Sequence, residues 1–259
     1  MASLRIHIHF LPLLFAGLLA LSPAKGQVAG RGGQPAVPPK AEADAPFDMT
    51  GYWVSVITQN WRYRMVVPPR GDYMGIPLSV AAKQVADAWD PAKDEAAGEQ
   101  CKGYSAPAIM TNPEHLHITW QDDQTLRMDV DAGTQTRLFH FGNWKSAGAA
   151  ASWQGDSLAS WSPRAGLAFV SSPKARSLKV TTTNMRPGYL RKNGVPFGAG
   201  ATLTEYFDVF QEPEGETWMT VTMLVRDPVY LENPLIWSAQ FKKQSDASGW
   251  DPEPCSTKW

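Results

Sequence analysis

Glu205 is the carboxylate best placed for proton transfer. Over Thr202–Phe210 a period of two puts Leu203, Glu205, Phe207 and Val209 on one face, and Thr202, Thr204, Tyr206 and Asp208 on the other. If the apolar face points inward, Glu205 is an acid in an apolar lining. Burial disfavours its charged form and suits it to general acid or base work, with His117 or Tyr206 as partner. The bland alternative is a Glu–Arg pair between strands, with Arg62, Arg64 or Arg137 as the cation. Arg62 and Arg64 also share a face if their segment is extended. Two such guanidiniums can clamp a carboxylate or cover a sheet surface, and Arg64 is the group expected to hold an anionic part of a ligand.

Other residues admit two readings each. His115 and His117, two apart on a strand, with His140 form a pattern that can ligate zinc; exposed or hydrogen-bonded histidines give the same spacing. No metal is assigned. No G-x-S-x-G, Walker A or G-x-G-x-x-G pattern occurs, so no cofactor is assigned either. The segment Asn184–Phe197 carries the turn signals Pro187-Gly188 and Asn193-Gly194, and places Tyr189, Arg191 and Lys192 where they form a cavity mouth or plug a barrel end. Of the 11 Trp, Trp53, Trp61, Trp120, Trp153, Trp161, Trp218 and Trp237 fall in strand candidates. Large aromatics fill β cores, and they also line pockets for aromatic ligands. On that second reading Trp120, Arg137, Tyr189 and Arg191 join Arg62 and Arg64 as binding residues.

These residues must be positioned by strands. Alternation marks Gly51–Thr58, Trp61–Val67, Leu116–Gln121, Leu126–Val130, Thr134–Phe141, Ala151–Trp161, Gly166–Ser171, Ser177–Asn184, Ala201–Phe210, Thr217–Arg226 and Leu235–Lys243. Ser79–Trp89 is the one clear helix, with Ser79 as N-cap, and Lys93–Gln100 is a candidate for a short second. So many short strands with so little helix predict an all-β fold: an antiparallel barrel of about ten strands with one short helix inserted early, or a β-sandwich.

Residues 1–26 combine a basic, acid-free start, the apolar run Phe10–Leu21 and small residues at Ala24 and Gly26, the pattern of a secretory signal peptide. Residues 27–46 read as a Gly/Pro/Ala linker, leaving 47–259 as one domain. The expected location is periplasmic or secreted, with no membrane association after cleavage. In an oxidising compartment Cys101 and Cys255, the only two cysteines, are expected to pair. With 24 basic against 25 acidic residues, nothing points to nucleic acid, and the aromatic content excludes a disordered chain.

The Gly51-x-Trp53 opening resembles that of lipocalin-like (calycin) barrels, where such a Trp closes the base. The early helix and the lack of a C-terminal helix depart from that pattern. WRYRMVVPPRGDY (61–73), LHITWQDDQTLRMDVDAGTQTRL (116–138), TTTNMRPGYLRKNGVPF (181–197), TLTEYFDVF (202–210) and DPVYLENP (227–234) resemble a family of secreted bacterial proteins. That resemblance implies export and a β fold, and no particular reaction.

The combined expectation is an exported barrel that binds a small apolar or aromatic molecule, with a cofactor-independent lyase or isomerase as its enzymatic form. A carbohydrate-binding or carbohydrate-processing sandwich with a Trp platform is the alternative, and a structural protein of the envelope is the third.

Overall fold

The computed structural model describes residues 40–146, 148, 150–163 and 176–258. The expected signal peptide, most of the linker and the strand candidate Gly166–Ser171 lie outside them. Among the described residues thirteen strands are β1 (Gly51–Val56), β2 (His115–Asp122), β3 (Thr125–Val130), β4 (Ala132–Gly133), β5 (Gln135–Phe141), β6 (Asp156–Pro163), β7 (Arg176–Thr183), β8 (Gly188–Arg191), β9 (Val195–Phe197), β10 (Thr202–Gln211), β11 (Thr217–Arg226), β12 (Leu235–Lys243) and β13 (Glu253–Pro254).

Nine of them close into a barrel in the order β1-β12-β11-β10-β7-β6-β5-β3-β2. The sandwich alternative is thereby excluded, since β1 pairs with both β12 and β2 and leaves no open edge. The expectation of about ten antiparallel strands needs two corrections. The barrel has nine, and β5 and β6 run parallel. The two facts are one: strands that alternate in direction around a closed ring must be even in number, so a ring of nine needs a parallel pair. A parallel pair needs a returning connection between its strands, and at the start of this one Trp144 stacks on the outward-facing His140 with centroids 4.2 Å apart.

Alternation decides the interior. Leu116 and Ile118, Leu126 and Met128, Leu178 and Val180, Leu203 and Phe207, and Met219, Val221 and Met223 are fully buried, and their neighbours along each strand are exposed to some degree, apart from the buried Thr125 and Ser177 at strand starts. Trp53 is wholly buried and donates through Nε1 to Met49 O at 2.9 Å. Residues 40–46, assigned from sequence to the linker, lie on the barrel: Ala41 is buried, and its carbonyl accepts from Trp161 Nε1 at 3.0 Å.

Between β1 and β2 the chain forms a cap instead of a single inserted helix. It contains α1 (Trp61–Met65), α2 (Val80–Asp87), α3 (Pro91–Ala96), a 3-10 turn (Gln100–Tyr104) and α4 (Ala106–Ile109). Ser79 caps α2 by accepting from Ala82 N, as its sequence predicts. Trp61–Val67, expected as a strand, begins with α1. Pairing of β1 with β2 ends at Val54 and with β12 at Val56, so the next residues have no ladder to join despite their alternating pattern. The hairpin β8–β9 packs against α2, α4 and the 3-10 turn to complete the cap. Asn193-Gly194 makes its turn with Gly194 at φ +83°. Cys101 and Cys255 form a disulfide. It ties the cap to the C-terminal tail, which β13 anchors in parallel to β4.

Candidate functional site

The structure separates the residues that the sequence groups around Glu205. Glu205 points into the barrel and meets Arg137, with Oε1 2.8 Å from Nη1 and Oε2 2.5 Å from Nη2. Both side chains are fully buried. Arg137 also donates to Thr182 Oγ1 at 3.4 Å, and its guanidinium lies 4.9 Å from the centre of the Phe139 ring. Two strands, β7 and β6, separate β10 from β5, so the pair forms a chord through the interior. His117 and Tyr206 sit on the opposite faces of their strands, outside the barrel. His117 stacks on Tyr52 with centroids 4.2 Å apart.

The other expected residues divide in the same way. Arg62 is exposed and ion-paired to Asp72 at 3.2 Å. It does not share a face with Arg64, because residues two apart on a helix diverge. Trp120 lies inward against Phe141, on the β2 stretch far from the cap. The Tyr189 hydroxyl donates to Asp94 Oδ2 at 2.6 Å; burial first, then Asp94, pushes its pKa far above the usual phenol value. His115 Nδ1 lies 2.8 Å from Asp131 Oδ2. Among the described residues no group of three or more His, Cys, Asp and Glu is arranged to hold a metal ion.

Arg64 and Arg191 do come together, under the cap. Two adjoining voids of about 40 and 30 Å³ share Tyr63, Arg64, Thr111, Leu190 and Arg191 as lining. Trp237 and Ser238 of β12 complete one, and Asn112 and Lys192 the other. Each has room for a few waters, not for a whole organic ligand. Arg64 is held by Nε on Thr111 O at 2.7 Å and by Nη2 on Ser55 Oγ at 3.1 Å. Arg191 donates to Met74 O and lies over the Tyr63 ring. Burial lowers the pKa of Arg64, Arg191 and Lys192, and Glu114 opposes the shift at Arg64 and Lys192.

Glu114 is the residue that the sequence reading passed over. It is buried, and neither carboxylate oxygen has a hydrogen-bond partner. Burial raises its pKa well above the ordinary carboxylate value, and Asp131 raises it further; Arg64, Lys192 and Arg137 pull the other way. Arg64 Nη1, Asn112 Nδ2 and Trp237 Nε1, on residues that line the two voids, are also buried without partners. Such groups are rare in folded proteins, because each costs its desolvation. The signal for Glu114 is present in the sequence. Counting the β2 alternation back from Ile118 and Leu116 puts Glu114 on the same inward face. Starting the strand at Leu116 hid it.

Comparison with known protein families, with curated proteins and with solved structures finds no match to this chain. The class that the geometry itself defines is a closed nine-stranded β-barrel, capped at one mouth over a cluster of buried, unpartnered polar groups.

Proposed function

We propose that this protein is an exported barrel that takes a small apolar or aromatic molecule at its capped mouth, and that Glu114 moves a proton there. A cofactor-independent lyase or isomerase is the enzymatic form of this reading. The observation that carries it is that Arg64, Asn112 and Trp237, each with a buried and unpartnered N–H group, line the voids walled by Tyr63 and Leu190, while the buried, unpartnered Glu114 is electrostatically coupled to Arg64 and Lys192 of that lining. A protonated acid beside an anchored guanidinium can donate a proton to a bound molecule and take one back. This reading moves the acid/base role from Glu205, held by Arg137, to Glu114, and keeps Arg64 as the anchor. The disulfide supports export, since such bonds persist in oxidising compartments. Among the described residues no helix is long and apolar enough to cross a membrane.

A structural protein of the envelope would share the filled interior and the Arg137–Glu205 pair. It would have no use for four unpartnered polar groups under a cap. Native mass spectrometry of the protein purified from its own host tests the reading. We expect a retained small molecule that Glu114→Gln releases or holds at least tenfold more weakly, with the far-UV spectrum unchanged. Absence of any retained molecule, together with no thermal shift from a broad aromatic and terpenoid panel, would sink it.

A further inference from the structure

Resting on that reading of the same site, we infer that its ligand is an aryl or similarly planar carboxylic acid, bound as the carboxylate at Arg64 and Asn112. Three of the four residues with unpartnered groups here, Arg64, Asn112 and Trp237, offer N–H donors. The pocket is therefore short of acceptors, which an amine or other cation does not supply. Arg64 is partly buried, and its hydrogen-bond partners are neutral. Among the described residues no carboxylate lies within salt-bridge distance of it, while Nε and Nη2 are fixed by Thr111 and Ser55 so that Nη1 alone remains to be met. The acid that acts on its charge is Glu114, and once Glu114 holds its proton the guanidinium has no counter-charge, a cost that an anionic ligand removes. A carboxylate has two acceptor oxygens, so it can take Nη1 on one and a second N–H donor on the other.

Size sets the rest of the molecule. The voids beneath the cap admit a head of a few heavy atoms. A ring attached to that head must lie outward, between Tyr63, Leu190 and Trp237, three of the residues that line the larger void. Tyr63 is fixed there by Arg191, whose guanidinium lies 4.5 Å from its ring centre.

Calorimetry and thermal shift on the full oxidised chain test this with matched probes: benzoate against benzamide, cinnamate against cinnamamide, and inorganic phosphate. We expect the carboxylates to bind at least tenfold more tightly than their amides. Arg64→Met should abolish that preference, and Asn112→Asp, which adds a like charge, should weaken the carboxylates more than the amides. Equal binding of acid and amide, or binding of phosphate with no carboxylate bound, overturns the carboxylate inference and leaves the ligand site standing. If no probe of either kind binds, both the inference and the site reading fall. The acid–amide comparison is made on the unaltered protein, so it stands even if a variant fails to fold.

Discussion

Glu114 and Glu205 are both buried acids, and their partners give them opposite characters. Glu205 has a guanidinium on both oxygens, so its charge is matched within the barrel. Glu114 has no hydrogen-bond partner, and burial favours its proton. This difference has a thermodynamic signature. Below the ordinary carboxylate pKa of 4.5, folded and unfolded chains both hold the Glu114 proton. Above it the unfolded chain releases the proton first, so stability falls as pH rises toward the higher folded value. The groups facing Glu114 are Asp131 with its bound His115, and the cations Arg64, Lys192 and Arg137. Glu114→Gln removes this one contribution. Urea unfolding should show the variant gaining on the parent as pH rises from about 4.5 to neutrality, by about 1–3 kcal/mol, the usual cost of a buried unsatisfied group. A difference that does not change with pH would show that Glu114 ionises normally in the fold.

At the scale of elements, the barrel strands were legible because their physics is local. One face is buried and one is not, so the period of two is written into β2, β7, β10, β11 and β12. Two features were not legible for non-local reasons. Trp61–Met65 alternates as a strand does, yet forms α1, because the decision lies with partners that leave β1 at Val54 and Val56. The direction of β6 depends on ring closure, which no stretch of residues announces. The candidate site was half legible. Arg64 and the 184–197 segment were picked out, whereas Glu114 lay one alternation beyond the assumed end of its strand. The hairpin β8–β9 supplies Leu190 to both voids and depends on its turn. A Cβ at Gly194 would lie 2.3 Å from Trp89 Cβ, at a φ of +83° that L-residues rarely adopt. Gly194→Ala should therefore cost about 1–3 kcal/mol by overpacking and loosen any bound ligand as well. Gly71→Ala is the control, with φ +90° and nothing within 4 Å, so it carries the backbone strain without the clash. Thermal unfolding of the two variants compares them directly, and equal losses would show that the Trp89 contact is not what matters.

For the whole molecule, the barrel's closure leaves no free edge among its nine strands, and the cap and tail are bound to one another by sulfur. Cys101 and Cys255 are 154 residues apart in sequence. Loop entropy for so long a closure gives up to about 5 kcal/mol at 25 °C. Reduction, or the pair Cys101→Ser and Cys255→Ser, should lower the unfolding midpoint markedly in calorimetry, with the cap and tail loosening before the barrel in hydrogen exchange. An unchanged midpoint would mean that the cap is held by packing alone. The same bond has a mechanical consequence. Eight of the nine barrel strands lie between the two cysteines; β1 alone lies outside. Tension applied at Lys40 and Lys258 would run through β1 and the helical cap, cross at the sulfurs and leave along the short tail. The covalent ring would carry none of it along its backbone, so a pulled molecule would surrender β1 and the roof of the site while the other eight strands stayed unstretched.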